Sequence, residues 1–315
     1  MTTAATAVHP PEADENALLS VRDLRVSFPG KGWRAPRTEV LKGIGLTVRP
    51  GETLGLVGES GSGKTTIGRA VLGLVPVRSG SVTFDGERID TAGRARRRAL
   101  SRDLQVIFQD PYTSLNPSLT VGDTLSEPLI GQGADAREAG GRVGELLDRV
   151  HLPSDAARRL PREFSGGQRQ RVAIARALAL RPRLVVCDEP VSALDLTTQR
   201  TVLELLLEIQ EETGVSYLFV SHDLSVVRFM SHRVSVIHRG EIVETGDADR
   251  ITRSPDHPYT RTLLLSAPVT DVAEQRRRRE LRGSPAPHEA DHKAANETAN
   301  AAASEKANEA DHRAG

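Results

Sequence analysis

The eight residues Gly58-Glu59-Ser60-Gly61-Ser62-Gly63-Lys64-Thr65 limit the fold of this chain more than any other stretch. They fit the pattern G-x-x-x-x-G-K-[ST], which has meaning only as a loop between a buried strand and the start of a helix. Both flanks are present. The apolar run Leu54-Gly55-Leu56-Val57 precedes the loop, and a helical pattern over residues 64–72 follows it. Glycines let the backbone close round an anion, and the free N–H groups and dipole of a helix start favour negative charge there. In such a cradle Lys64 reaches the β- and γ-phosphates of a nucleotide, and Thr65 holds Mg²⁺.

Other short apolar runs, at residues 104–108, 184–187 and 217–220, have the composition of strands buried on both faces. A helix is expected over residues 197–213, with Val202, Leu205, Leu206 and Ile209 on one stripe and Gly214 as its stop. Residues 234–237 and 241–245, joined by Arg239-Gly240, suggest a closing hairpin. Strand and helix in alternation imply an α/β fold with a mainly parallel sheet. Residues 110–164 break that rhythm with several prolines and a helical stretch near 141–150, and are expected to form an inserted helical subdomain. Residues 1–16 and 283–315 carry no apolar periodicity and are expected to remain a disordered leader and tail.

The run ending Cys187-Asp188-Glu189 places two acids after a buried strand. The first can hold the Mg²⁺ that bridges the phosphates, and the second can polarise an attacking water. By itself the pair could be a solvated strand end; beside the cradle it gains these roles, Asp188 for metal and Glu189 for water. A second anion cradle is written as Phe164-Ser165-Gly166-Gly167-Gln168, ahead of a helical run over 169–180 that Arg181-Pro182 ends. Alone it reads equally as a capped helix after a flexible turn. One nucleotide does not need two such cradles from the same side, whereas two chains lending this element to each other would use both.

These segments, in this order, resemble the ATPase subunits of ABC (ATP-binding cassette) transporters over residues 17–245. Residues 164–168 match the family signature, with Phe164 where leucine is commoner. The resemblance implies that Gln109 is the Q-loop residue and a further Mg²⁺ contact, that Ser192-Ala193-Leu194-Asp195 is the D-loop, and that His222 is the switch histidine. It adds Thr66 to the phosphate contacts. Phe28 stands near the place of the aromatic that stacks on adenine, with Trp33 as a rival and a core role as the alternative. The implied fold is a P-loop NTPase (RecA-like) core with an antiparallel β subdomain and an inserted helical subdomain. The implied assembly is a head-to-tail dimer with two ATP molecules, each between the Gly58–Thr65 loop of one subunit and Ser165, Gly166, Gly167 and Gln168 of the other.

Three stretches narrow the resemblance to ATPases of di- and oligopeptide importers, in particular the F-type subunit: residues 109–117, residues 188–195, and His257-Pro258-Tyr259-Thr260-Arg261-Thr262-Leu263-Leu264, which opens an extension over 246–282. That extension reads physically as a Pro-started helix packed on the core. The implied partners are a second ATPase subunit, identical or different, two integral-membrane permease subunits, and indirectly an extracellular solute-binding protein. Other solutes such as nickel, opines or oligosaccharides are the alternative cargo. A non-transport ABC ATPase acting on ribosomes or DNA is the remote reading, because neither a second cassette nor a coiled-coil or zinc insertion is visible.

Charge speaks against nucleic acid: Lys plus Arg and Asp plus Glu both total 42, and aromatics are 3% of the chain. The cluster Arg94, Arg96, Arg97, Arg98 and Arg102 is expected on a solvated helix face, and residues 276–279 as a weak lipid or partner contact. No run of about eighteen apolar residues could span a bilayer. A cytoplasmic location, peripheral on the inner face of the membrane, is therefore expected. Some relatives bind an iron–sulfur cluster through cysteines near the extension; the single cysteine here is Cys187, so no such cluster is expected.

Overall fold

The strands that precede the candidate site residues are neighbours in one sheet. In the computed structural model, which describes residues 16–30, 36–110 and 114–266, this sheet contains β3 (Thr53–Val57), β6 (Leu104–Ile107), β7 (Leu184–Asp188), β8 (Ser216–Ser221), β9 (Arg233–His238) and β10 (Glu241–Asp247). Their spatial order is β10-β9-β3-β8-β7-β6, with every pair parallel except the β9–β10 hairpin.

Burial explains why these strands read as unbroken apolar runs. Along β7, Val185 and Cys187 join a core with Tyr217, Phe219, Val202, Leu206 and Ile209 on one face. Leu184 and Val186 join Leu54, Leu56, Leu218, Val220 and Ile67 on the other. Period-two alternation therefore divides one apolar run between two cores. The first core is covered by α5 (Gly166–Leu178) and α6 (Leu196–Thr213). α6 ends at Gly214, whose φ of 69° is the left-handed conformation that terminates a helix.

The second core lies between α1 (Lys64–Val71) and a separate antiparallel sheet. That sheet contains β1 (Leu19–Phe28), β2 (Thr38–Val48), β4 (Ser79–Phe84) and β5 (Glu87–Arg88), in the order β2-β1-β4-β5. Its strands lie outside the runs quoted above. The alternation in Leu19, Val21, Leu24 and Val26, broken by a register shift between Val21 and Leu24, is the signal that marks them. The two sheets meet where Lys42 N–H donates to Gly240 O at 2.9 Å.

Residues 114–164 hold α3 (Val121–Gly131), α4 (Ala136–Arg149) and two 3₁₀ turns, Ser154–Arg158 and Pro161–Glu163. Thr120 and Asp135 cap the two helices with reciprocal capping boxes. Between β8 and β9 lies α7 (Leu224–Met230); beyond β10, α8 (Ala248–Arg253) and α9 (Pro258–Ser266) follow. One compact unit runs to Leu264; of the second, residues 265–315, only Leu265 and Ser266 are described, as the end of α9. The expected leader except Asn16, the tail, residues 276–279 and Trp33 lie outside the described residues.

On α2 (Arg94–Leu100) the expectation of a uniformly solvated face needs one correction. Arg97 turns inward, donating to Ile89 O at 2.6 Å and Val71 O at 3.5 Å, and burial lowers its guanidinium pKa. Arg96 pairs with Glu87, and Arg98 donates to Gly131 O at 2.7 Å. No helix among the described residues is long and apolar enough to cross a membrane.

Leu206 is fully buried where α6 meets the sheet. Leu206→Ala is expected to cost about 2–5 kcal/mol of unfolding free energy, read by urea denaturation.

Candidate nucleotide site

Four loops leave the carboxyl ends of β3, β8, β7 and β6, and each carries a candidate residue. Parallel pairing places all four on one edge of the sheet, where α/β proteins hold their ligands.

The loop after β3 closes tightly on its neighbours. A Cβ at Gly58 would lie 2.1 Å from Ile237 O, so no side chain fits there. Gly63 has φ 111° and starts α1 without any side-chain cap. The first-turn N–H groups of α1 are thus left to another acceptor. Ser62 Oγ is buried beside them with no partner. Lys64, 4% exposed, folds its ammonium back onto Gly58 O at 2.7 Å and Glu59 O at 2.9 Å. Burial pushes its pKa down, against the attraction of Glu189, Asp188 and Glu59. An uncapped helix start, an orphaned hydroxyl and a buried cation together suit an oxyanion such as phosphate.

Beside the loop, Thr65 Oγ1, in the first turn of α1, donates to Asp188 Oδ1 at the end of β7 at 2.9 Å. Burial raises the Asp188 pKa, Thr65 lowers it, and the neighbouring Glu189 raises it again. A partly desolvated carboxylate next to a hydroxyl is an all-oxygen donor set, which suits Mg²⁺ when phosphate oxygens complete it.

The next residue turns away. Glu189 has φ 49°, an uncommon conformation for a residue with a side chain, and its N–H donates to Val220 O at 3.0 Å. Its Oε2 accepts from Gln109 Nε2 at 3.2 Å and lies 3.1 Å from His222 Nδ1. A carboxylate only accepts, so the His222 proton sits on Nδ1 in this contact. Two loops therefore converge on one carboxylate oxygen carried by a third. In the described contacts Gln109 meets Glu189, while the Thr65–Asp188 pair stands apart from it.

Ser165 and Gln168 are occupied with each other: Gln168 N–H donates to Ser165 Oγ at 3.3 Å, and Ser165 N–H donates to Gln168 Oε1 at 3.0 Å. A Cβ at Gly167 would lie 2.2 Å from Thr198 Cγ2, so the start of α5 presses on α6. Thr198 Oγ1 in turn donates to Asp195 Oδ2 at 2.6 Å, and this holds the Asp195 carboxyl pKa down. Residues 165–168 and the loop ending at Asp195 are thereby fixed to one another within the same chain. At the end of β1, Phe28 is 36% exposed and opposite Thr38, so it lies outside the core. Tyr259 is the contact that sequence reasoning missed: its hydroxyl accepts from Glu59 N–H at 3.1 Å.

The Asp188 pKa gives a signed expectation. A carboxyl pKa raised by folding means that the folded chain holds this proton more tightly than the unfolded one. Stability then falls as pH rises from the ordinary value of 3.8 through the raised value, above which the penalty is complete. Asp188→Asn keeps the shape without the charge. Its nucleotide-free melting temperature is expected a few degrees above wild type at pH 7, with the gain shrinking as pH falls towards the ordinary carboxylate range. A melting temperature at or below wild type at pH 7 would contradict this.

A family model described as ABC transporter matches residues 41–192, and one described as oligopeptide/dipeptide transporter, C-terminal region, matches residues 243–294. The glutathione import ATP-binding protein GsiA of Escherichia coli O6:H1 is 48% identical over 273 residues, covering 85% of this chain and 44% of that protein. GsiA of Salmonella choleraesuis is 48% identical over 272 residues, 84% of this chain and 43% of that protein. The chain thus spans less than half the length of these relatives. Among solved structures, the ATP-binding cassette MJ0796, in a dimeric post-hydrolysis state bound to ADP and Pi, superposes with a TM-score of 0.66 at 30% identity, covering 73% of this chain and 98% of that one. The cbiO1 subunit of Clostridium perfringens, part of the ABC transporter complex cbiONQ, gives 0.68 at 28% identity, covering 76% and 92%. With the strand order and the sequence elements already in place, the chain belongs to the ATP-binding cassette family of ABC transporter ATPases.

Proposed function

We propose that this chain hydrolyses ATP as one subunit of a cassette dimer that drives an importer of di- or oligopeptides. The observation that carries the hydrolytic reading is the convergence of Gln109 and His222 on Glu189 Oε2, beside the Thr65–Asp188 pair and the Lys64 loop.

In this reading residues 58–65 and Thr66 grip the phosphates, and Lys64, oriented by its backbone carbonyls, offers its ammonium to the β- and γ-oxygens. Thr65 and Asp188 would hold Mg²⁺, with Gln109 adding its amide oxygen, and the metal would neutralise charge building on the phosphates. Glu189 accepts a hydrogen bond from the attacking water, and the Gln109 and His222 contacts hold its carboxylate in place for that water. Phe28, exposed at its strand end, supplies a surface for the adenine ring. Because Ser165 to Gln168 are bonded only locally, they are free to close over the nucleotide of a second subunit. Asp195, tied to them through Thr198, would travel with them.

The cargo reading rests on the match of residues 243–294 to a peptide-transporter region and on relatives that import glutathione, itself a small peptide. It implies permease subunits in the membrane, a solute-binding protein outside, and attachment to the inner face. Deleting the gene should abolish peptide uptake; uptake at the wild-type rate would refute the cargo.

For the chemistry, Glu189→Gln is expected to lower kcat for ATP about 10²–10⁴-fold while ATP binding persists and closed dimer accumulates. Single-turnover hydrolysis and size-exclusion chromatography read the two effects, and undiminished turnover would remove Glu189 from its role. Ser165→Arg should leave each chain binding ATP but block dimer closure, and Lys64→Ala should weaken nucleotide binding itself.

A further inference from the structure

The segment after α8 reaches back to the phosphate loop. Glu244 of β10, 6% exposed, accepts from the backbone N–H groups of Asp256 at 2.8 Å and His257 at 3.2 Å. His257 Nδ1 accepts from Tyr259 N–H at 3.2 Å at the start of α9. The Tyr259 ring then stacks on His238, at the end of β9, with centroids 3.9 Å apart and planes inclined by 20°. Three anchors therefore fix where the Tyr259 hydroxyl can be.

That hydroxyl accepts from Glu59 N–H at 3.1 Å. The N–H belongs to the peptide group between Gly58 and Glu59, and the carbonyl of the same group, Gly58 O, accepts from Lys64 Nζ at 2.7 Å. A peptide group is planar, so turning its N–H turns its C=O by the same angle. One rigid plane thus has Tyr259 on one edge and the phosphate-binding lysine on the other. The next carbonyl, Glu59 O, takes Lys64 Nζ at 2.9 Å and Ser62 N–H at 3.2 Å.

We propose that Tyr259 is a positioning residue for the nucleotide: its hydroxyl sets the Gly58–Glu59 peptide plane and, through it, Lys64. The C-terminal extension thereby tunes the ATP affinity of its own cassette. This rests on reading residues 58–65 as the nucleotide cradle. Packing alone does not account for the hydroxyl. Tyr259, Leu263 and Leu264 all pack against the apolar cluster that includes Val57, Val234 and Ile251, and a phenylalanine at 259 would keep that packing and the stack on His238. Among the described residues, the Glu59 N–H is the group that bonds to this oxygen.

The test uses the full chain and Tyr259→Phe, with trinitrophenyl-ATP plus Mg²⁺ as the binding probe. Affinity is expected to fall roughly five- to tenfold, the effect of one lost hydrogen bond at a constrained site. The nucleotide-free melting temperature should stay within about 2 °C of wild type. In steady-state hydrolysis KM for ATP should rise by a similar factor, with kcat within about twofold because Glu189, Gln109 and His222 are untouched. Tyr259→Leu, which also removes the ring stack, should match the affinity loss and lower the nucleotide-free melting temperature as well. Wild-type affinity in Tyr259→Phe overturns the proposal. So does an affinity loss accompanied by an equal loss of melting temperature in Tyr259→Leu and Tyr259→Phe alike, since that is a structural role. A wild-type chain that binds no nucleotide is a separate failure, and it removes the cradle reading itself.

Discussion

Everything at the site depends on the parallel pairing of β3 with β8, β8 with β7, and β7 with β6. Parallel strands deliver their carboxyl ends to one edge, so four loops far apart in sequence emerge side by side. Backbone register does the coarse work: Val57 stands opposite Ser221, and Asp188 opposite Val220, one rung from the loops that carry the chemistry. The side chains then need only short reaches. The longest of the three hydrogen-bond distances that connect these loops is 3.2 Å.

The same edge is costly to build. Lys64 and Asp188 are both desolvated, and burial is the largest influence on each pKa, opposed by neighbours of opposite charge or by a hydroxyl. Ser62 Oγ stays unpartnered within the fold. In the proposed reading a bound anion and metal would stabilise these groups, which would link the folding energetics of the loop to nucleotide binding. The uncommon backbone of Glu189 belongs to the same pattern: a local strain kept because it aims a carboxylate.

A second mechanical unit begins where the loop after β7 runs on from Glu189 to Asp195. Gly167 against Thr198, and Thr198 bonded to Asp195, join the start of α5 to the start of α6. Arg176, farther along α5, is half-buried and donates to Ser114 O at 2.5 Å, which ties the same helix to the segment that leads into α3. Helix α5 is therefore attached at both ends, to the loop bearing Asp195 and to the segment that leads into α3. A displacement at one attachment would be transmitted through α5 to the other.

Sequence alone determined the elements whose physics is local. Glycine spacing with Lys64 and Thr65 marked the loop between β3 and α1, apolar runs marked strands buried on both faces, and Gly214 marked the end of α6. Element edges drifted by a residue or a few, as with α5, expected over 169–180 and found at Gly166–Leu178, because a cap is decided by which hydrogen bonds close. Tertiary structure decided what depends on position in space. It placed Gln109 and His222 on one oxygen of Glu189, turned Arg97 inward from a run of identical neighbours, and put the Tyr259 hydroxyl on Glu59, 200 residues away in sequence. Local propensity reports how a segment folds. Which atoms meet is fixed only when strand order and packing bring distant segments to the same edge.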